Sequence, residues 1–264
     1  METARPCDLG GLEVLVTRPA GQAAGLCHAV EAANGRPLPL PLMEIAAAAD
    51  PATRQRLDSA TDYDWLIFVS SNAVEHALPY LPSSRDFRIA AVGRSTARAL
   101  DGAGMTDILV PSTSADSEGL LAEPALADVA GQRILIVRGC GGRPLLADAL
   151  RSRGARVEYA EVYRRELPAD TRTRLHALLH QPPGALTITS GEMLENLITL
   201  SGSATSWRDV PLVVVSARVA EMAHRAGFRQ VIQARGAGDD AIVAALCGAI
   251  AAHHERDAGA CSST

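Results

Sequence analysis

The sequence predicts an α/β protein built from two similar units, each a doubly wound parallel sheet with helices on both faces. Residues 65–69 form an apolar run that ends at Ser70-Ser71-Asn72, and helical spacing of apolar residues follows. The same strand–turn–helix pattern returns at residues 186–197. Both copies lie in a longer repeat, because Arg138 follows Arg18 by 120 residues and Ser190 follows Ser71 by 119. Alternating strands and helices in two such copies favour parallel sheets.

The elements of the first repeat follow in order. Residues 12–16 predict a strand, and residues 22–33 predict a helix that stops at Asn34-Gly35, a pair suited to a left-handed helix end. Residues 37–42 alternate Pro and Leu, which predicts an extended edge strand or a connector, since proline does not suit a central strand. The alanine-rich residues 46–57 predict a helix.

Two further strand–helix pairs precede the second copy. Residues 89–92 predict a strand, and Gly93 to Thr96 open a helix that glycines end. Residues 108–110 predict a strand, and Ser117-Glu118 begins a helix through residue 126. The second copy then repeats this order from residue 132 to residue 243.

Composition excludes several classes of protein. The chain has 264 residues, of which 47% are hydrophobic and 21% charged, so it predicts globular rather than disordered structure. The net charge of −5 argues against nonspecific nucleic-acid binding. Five cysteines form no CxxC pair and predict unpaired thiols of a reducing compartment. With no leader-like start and no membrane-length apolar segment, the expected location is cytoplasmic.

Three other patterns do not predict a separate chemistry. His176 and His180 are spaced for metal ligation on a helix but have no third ligand nearby, so an exposed helix face is the better interpretation. The glycine-rich loop 139–142 lacks the Lys-Ser/Thr ending of a phosphate loop. Cys140 has no His partner in sequence and is interpreted as an incidental thiol.

Several motifs in one order resemble the uroporphyrinogen-III synthase family. They are Val-Thr-Arg-Pro after the first strand, Phe-Val-Ser-Ser-Asn-Ala-Val, Ala-Val-Gly-Arg-Ser-Thr-Ala, Pro-Ser-Thr-Ser-Ala-Asp-Ser-Glu-Gly-Leu, Arg-Gly-x-Gly-Gly-Arg, Ala-Glu-Val-Tyr-Arg-Arg and a second Thr-Ser-Gly turn. The resemblance covers roughly residues 11–250.

The resemblance implies a discontinuous first domain. It comprises residues 1–36 and 168–264, the second domain comprises residues 46–156, and residues 37–45 and 157–167 form a two-stranded connector. Catalysis is then expected in the cleft between the domains.

The resemblance also implies a reaction without a cofactor. The family cyclises hydroxymethylbilane to uroporphyrinogen III with inversion of ring D and loss of water, on the way to heme, siroheme and cobalamin. The expected protein is a monomer with transient contact to hydroxymethylbilane synthase and no nucleic-acid or membrane partner.

Tyr163 is the predicted general acid or orienting hydroxyl at the leaving group, because it matches the family's Val-Tyr motif and a phenol donates a proton or a hydrogen bond at neutral pH. The alternative is that Tyr163 is an aromatic residue that only packs against the neighbouring strand. Arg18 and Arg138 are candidates for propionate binding, with a surface ion pair as the alternative. The turn residues are candidates for substrate binding, with plain helix capping as the alternative. They are Thr17, Ser71, Asn72, Gly93, Thr96, Gly139, Ser190, Gly191 and Ser216.

Two rival functions remain open at this stage. One is a two-domain protein that clamps an anionic ligand without reaction. The other is a regulatory or inactive relative of the synthase.

Overall fold

A computed structural model describes residues 7–84, 86–202 and 205–249 of the chain. These residues divide into two compact units. One unit contains the described residues up to Glu44 and from Glu166 onward, and the other is Ile45–Arg165. The first unit is therefore discontinuous in sequence, and the chain passes between the units twice.

The elements alternate along the chain. The strands are β1 Glu13–Val16, β2 Arg36–Pro39, β3 Glu44–Ala47, β4 Trp65–Phe68, β5 Arg88–Ala91, β6 Ile108–Leu109, β7 Arg133–Gly139, β8 Arg156–Glu166, β9 Ala185–Ile188, β10 Leu212–Val214 and β11 Val231–Gln233. The α-helices are α1 Ala20–Ala32, α2 Pro51–Asp58, α3 Ser71–Ala77, α4 Arg94–Gly102, α5 Ser117–Leu121, α6 Leu145–Ser152, α7 Thr171–Leu178, α8 Gly191–Ser201, α9 Ala217–Arg225 and α10, residues 239–249.

The first unit contains a parallel sheet with the strand order β11-β10-β9-β1-β2. β2 lies at its edge and pairs only with β1 among the described strands. Because Pro37 and Pro39 have no N–H to donate, an edge position is the place in a sheet where they cost least. The predicted edge strand is therefore confirmed.

The second unit contains a sheet with the order β3-β8-β7-β4-β5-β6, in which β8 through β6 pair in parallel. Apolar side chains pack on both of its faces. Along β4, Leu66 and Phe68 belong to one buried cluster, while Trp65 and Ile67 belong to the other. Burial on both faces explains why β4 is a continuous apolar run, and it confirms the predicted α/β class.

The internal repeat appears as equivalent strand orders. In the first unit the chain runs outward from β9 to β11 on one side and from β1 to β2 on the other. The second unit does the same with β4 to β6 and with β7 to β8. β9 and β1 therefore correspond to β4 and β7, and each adjacent pair is the point where the strand order reverses. Ligands of open α/β sheets bind at the carboxyl ends of strands at such a point.

The predicted helix over residues 46–57 is wrong in its first part. Ala46 and Ala47 belong to β3, and the N–H of Ala48 donates to the carbonyl of Val162 on β8 at 3.0 Å. Pairing with β8 therefore overrides the helix propensity of alanine. The helix begins only at Pro51, with Asp50 as its cap.

The Asp50 cap predicts a pH effect on stability. The Thr53 backbone N–H donates to the Asp50 carboxylate at 2.6 Å and lowers the pKa of Asp50. A pKa below the unfolded value of about 3.9 means that the cap stabilises the fold above that pH and that the stabilisation is lost as pH falls through the folded pKa. Urea unfolding of the wild type and Asp50→Asn is expected to show a free-energy gap that shrinks between about pH 6 and about pH 3. A constant gap would contradict this cause.

The cysteines differ from the sequence prediction. Cys7 and Cys247 form a disulfide with a Cα–Cα separation of 5.8 Å, so the interpretation of five unpaired thiols is wrong. The two residues are 240 positions apart, and only the tertiary structure brings Cys7 next to α10. Cys27 and Cys140 are free thiols. This bond removes the cysteine-based support for a reducing compartment.

Thiol titration of unfolded protein tests this bond. The wild type is expected to show two more reactive thiols after reduction than before it, because Cys7 and Cys247 react only once the bond is broken. The Cys247→Ser variant is the control and is expected to gain none. Equal counts for the wild type before and after reduction would show that the pair is reduced.

Candidate functional site

The candidate residues of the second unit lie at the carboxyl edge of its sheet. Ser71 and Asn72 follow β4, Arg138 and Gly139 end β7, and Tyr163 lies near the end of β8. Gly93 and Thr96 follow β5, as the cap and third residue of α4. The order β8-β7-β4-β5 makes these strands neighbours, with the reversal point between β7 and β4. The structure thus places these predicted residues on one edge.

Tyr163 is buried, with 2% of its surface exposed, and its hydroxyl lies 3.1 Å from Ser70 Oγ. The tyrosine ring also approaches His76 on α3, at 5.8 Å between ring centroids. Ser70 is the cap of α3, because its Oγ accepts the N–H of Ala73 at 3.1 Å. Ser70 therefore contacts both the start of α3 and the phenol.

A register shift in β8 determines where Tyr163 points. Arg138 pairs with Glu161, but the next residue, Gly139, pairs with Tyr163, so β8 has one extra residue there. Ala160 and Val162 pack in one buried cluster and Tyr159 against the other. A regular strand would turn Tyr163 to the side of Tyr159, yet Tyr163 packs with Ala160 and Val162. Such irregularities redirect a side chain.

Arg138 is a largely buried cation, with a side chain 10% exposed. Its guanidinium donates from Nε to the Gly139 carbonyl at 3.1 Å, lies 3.8 Å from the Glu161 carboxylate and stacks over the Tyr159 ring at 4.7 Å. Stacking and this ion pair hold the planar group in one orientation.

A glycine-rich loop from Gly139 to Gly142 covers Arg138. Gly141 and Gly142 have φ values of +75° and +92°, which favour glycine. A Cβ on Gly142 would lie 2.6 Å from an Arg138 Nη atom, so a larger residue there would have to displace the end of the Arg138 side chain. The loop, Arg138 and Tyr163 border a cavity of about 170 Å³. A cationic side chain and a phenol side chain therefore border the same cavity.

The candidates of the first unit lie at the carboxyl edge of neighbouring strands as well. Ser190 and Ser216 cap α8 and α9 through the N–H groups of Met193 and Val219, at 3.2 and 3.4 Å. Gly191 is the first residue of α8 and is buried. These strand-to-helix turns follow β9 and β10.

Thr17 and Arg18 follow β1 but already have partners within the unit. Thr17 is fully buried, and its hydroxyl donates to the Thr187 carbonyl at 2.6 Å. Arg18 forms an ion pair with Asp239 and donates to the Ala237 carbonyl at 2.7 Å. Both residues therefore have partners inside the first unit, as Arg138 has in the second.

A protein-family model described as uroporphyrinogen-III synthase HemD matches residues 25–244 of the chain. The chain belongs to the uroporphyrinogen-III synthase family. It is 34% identical to the uroporphyrinogen-III synthase of Salmonella typhimurium and 32% identical to that of Escherichia coli, and both alignments cover 89% of this chain and 100% of the relative.

Solved structures of uroporphyrinogen-III synthases share the fold. A mutant synthase from Thermus thermophilus aligns with a TM-score of 0.60 and 19% identity, covering 92% of this chain and 98% of that one. The Helicobacter pylori enzyme aligns with a TM-score of 0.54 and 17% identity, covering 88% and 96%.

Ser70 contacts Tyr163 in the structure, but the sequence did not indicate Ser70 as a site residue. The repeat pairs Ser71 with Ser190 in the sequence, but the structure shows that the equivalent caps are Ser70 and Ser190, 120 residues apart, while Ser71 is the exposed first residue of α3. A repeat length of 120, as for Arg18 and Arg138, would have identified Ser70.

Two histidines spaced for metal ligation lie in α7 and just after it. His176 is in α7, whereas His180 lies beyond its end, with their rings 6.5 Å apart. Among the described residues, no group of three or more His, Cys, Asp or Glu residues could hold a metal ion. Within the same residues, no helix is both long and apolar enough to span a bilayer. Cys261, one of the five cysteines, lies outside the described residues.

Proposed function

We propose that this chain converts hydroxymethylbilane into uroporphyrinogen III, inverting ring D and releasing water, in tetrapyrrole biosynthesis. Family membership supports the reaction class. The single observation that supports the chemistry is the arrangement of the buried Tyr163 phenol beside the Arg138 cavity, at the sheet edge where ligands of this fold class bind.

Tyr163 is proposed as the general acid at the leaving hydroxyl. Its phenol proton moves to the hydroxyl oxygen, the carbon–oxygen bond breaks, and water leaves with the electron pair. The substrate is left as an azafulvene cation and the phenol as a phenolate. The substituted carbon of ring D attacks the electrophilic carbon of this cation and gives a spiro intermediate. The bond between that ring D carbon and its earlier methylene bridge then breaks, and the ring recloses in the inverted orientation. Loss of a proton from the ring system restores the phenol, so the cycle balances.

Arg138 is proposed to bind one of the acetate or propionate groups of the substrate. A guanidinium that is stacked and nearly buried forms stronger bonds to carboxylate than an exposed one, because less water competes. Gly139 extends this site through its backbone.

We also propose that the other predicted positions contact the substrate. Ser190 and Ser216 leave backbone N–H groups at the starts of α8 and α9, which attract carboxylates. The remaining proposed positions are Thr17, Arg18, Ser71, Asn72, Gly93, Thr96 and Gly191.

Coupled turnover tests the proposed function. Porphobilinogen and hydroxymethylbilane synthase generate the substrate, and the porphyrinogens are oxidised and separated as isomers I and III. The chain is expected to give mainly isomer III, whereas heat-denatured protein gives isomer I, the product of spontaneous closure. Isomer I alone with the native chain would contradict the proposal and favour a ligand-binding or regulatory relative.

We propose that the protein is a cytoplasmic monomer and that it contacts hydroxymethylbilane synthase transiently. The reactivity of the linear substrate supports direct transfer from the enzyme that makes it. Light scattering of the purified chain, alone and with that enzyme, tests the oligomeric state and the contact.

A further inference from the structure

The surroundings of Tyr163 contain a second hydroxyl whose bonds are nearly fixed. Ser70 Oγ accepts the N–H of Ala73 at 3.1 Å, which uses one lone pair of that oxygen. A serine hydroxyl has a single proton to donate. Its other close partner is Tyr163 Oη at 3.1 Å.

We infer that Ser70 is a positioning residue for Tyr163, donating its proton to the phenol oxygen. This inference rests on the proposed function. With Ser70 as donor, the phenol's own proton is free to point toward a substrate. When Tyr163 gives that proton up, the same hydrogen bond stabilises the phenolate, since hydrogen bonds to an ionised acceptor are stronger than neutral ones.

Gly139 supplies the space that this arrangement needs. A Cβ on Gly139 would lie 2.6 Å from Cζ and 2.7 Å from Cε2 of Tyr163, so the ring packs directly on the glycine backbone. Carbon atoms cannot approach that closely, and an alanine would push the ring away. Gly139 is also the residue of β7 that pairs with Tyr163 of β8. The ring is thus held by Gly139 on its face and by Ser70 at its hydroxyl.

A double-mutant cycle tests the inference. Ser70→Ala is expected to lower the kcat for isomer III about tenfold, the effect of one hydroxyl hydrogen bond, with little change in KM. In the Tyr163→Phe background, Ser70→Ala is expected to cause no further loss, because the oxygen through which Ser70 acts is gone. Ser70→Thr keeps the hydroxyl and is expected to restore kcat to within about twofold of wild type.

Two further variants separate positioning from helix capping. Asp50→Ala removes the cap of α2 in the same unit without touching Tyr163, and it is expected to keep the wild-type kcat. Gly139→Ala leaves the α3 cap in place but displaces the ring, and it is expected to lower kcat. In a Tyr163→Ala background, Gly139→Ala is expected to cause no further loss. Thermal unfolding of each variant confirms that it is folded.

The inference would be overturned if the losses of kcat in Ser70→Ala and Tyr163→Phe multiplied in the double variant. An unchanged kcat in Ser70→Ala would also overturn it. So would an unchanged kcat in Gly139→Ala. If the wild type forms isomer III, these results overturn the positioning role alone. If the wild type forms only isomer I, the proposed function fails and the inference fails with it.

Discussion

Replacement of Tyr163 by Phe is expected to slow formation of isomer III by about 10²-fold, the lower end of the contribution of a general acid. The ring still packs on Gly139, so the substrate site keeps its shape and only the proton donor is lost. Activity is not abolished, because the leaving hydroxyl can take its proton from water and the azafulvene cation reacts readily once formed. Single-turnover measurement of isomer III, with isomer I scored in parallel, gives the size of the effect.

Tyr63→Phe is the matched control for this change. Tyr63 is also buried in the second unit, where Arg133 stacks over its ring at 4.7 Å, but it precedes β4 rather than following a strand end. Burial raises the pKa of its phenol. The control is expected to retain the wild-type rate. Equal rates for wild type and Tyr163→Phe would remove Tyr163 from the mechanism.

Arg138→Gln is expected to raise the KM for hydroxymethylbilane by roughly tenfold to a hundredfold, with a smaller change in kcat. A charge-assisted hydrogen bond to a carboxylate contributes about 1.5–3 kcal/mol, which corresponds to that range. Gln keeps a polar side chain but loses the charge and the planar fork that suits a carboxylate. Initial rates over a range of substrate concentration separate KM from kcat.

Arg151→Gln provides the comparison for Arg138→Gln. Arg151 also stacks over Tyr159, at 5.6 Å, and donates to the Val157 carbonyl at 3.0 Å, but it lies in α6 and does not border the cavity. Its loss is expected to leave KM unchanged. If both substitutions raised KM equally, packing against Tyr159 rather than carboxylate binding would explain the effect.

Strong local patterns in the sequence predicted much of the fold correctly. β4 is recognisable because every residue from Trp65 to Phe68 is buried, and a strand buried on both faces cannot alternate. β2 is recognisable as an edge strand from its prolines. The failure at residues 46–49 has the opposite cause, since helix propensity there is weak information that a pairing partner more than a hundred residues away overrides.

The candidate site was predicted less completely than the fold. The family's Val-Tyr motif indicated Tyr163, and the ends of the repeated strands indicated Arg138 and the turn residues. The sequence predicted Ser71 instead of Ser70, because sequence alone does not show which of two adjacent serines caps a helix. Only the backbone geometry shows that Ser70 accepts the Ala73 N–H and also contacts the Tyr163 hydroxyl.

The sequence by itself determined the α/β class, the duplication and the family, because apolar period, turn chemistry and motif order are local properties that can be read along one chain. Tertiary structure alone decided three matters: the disulfide of Cys7 with Cys247, the ion pair of Arg18 with Asp239, and the direction of the Tyr163 ring. The physical reason is the same in each case. These features depend on which distant backbone segments lie side by side and on a one-residue register shift, and neither leaves a signal in the residues concerned.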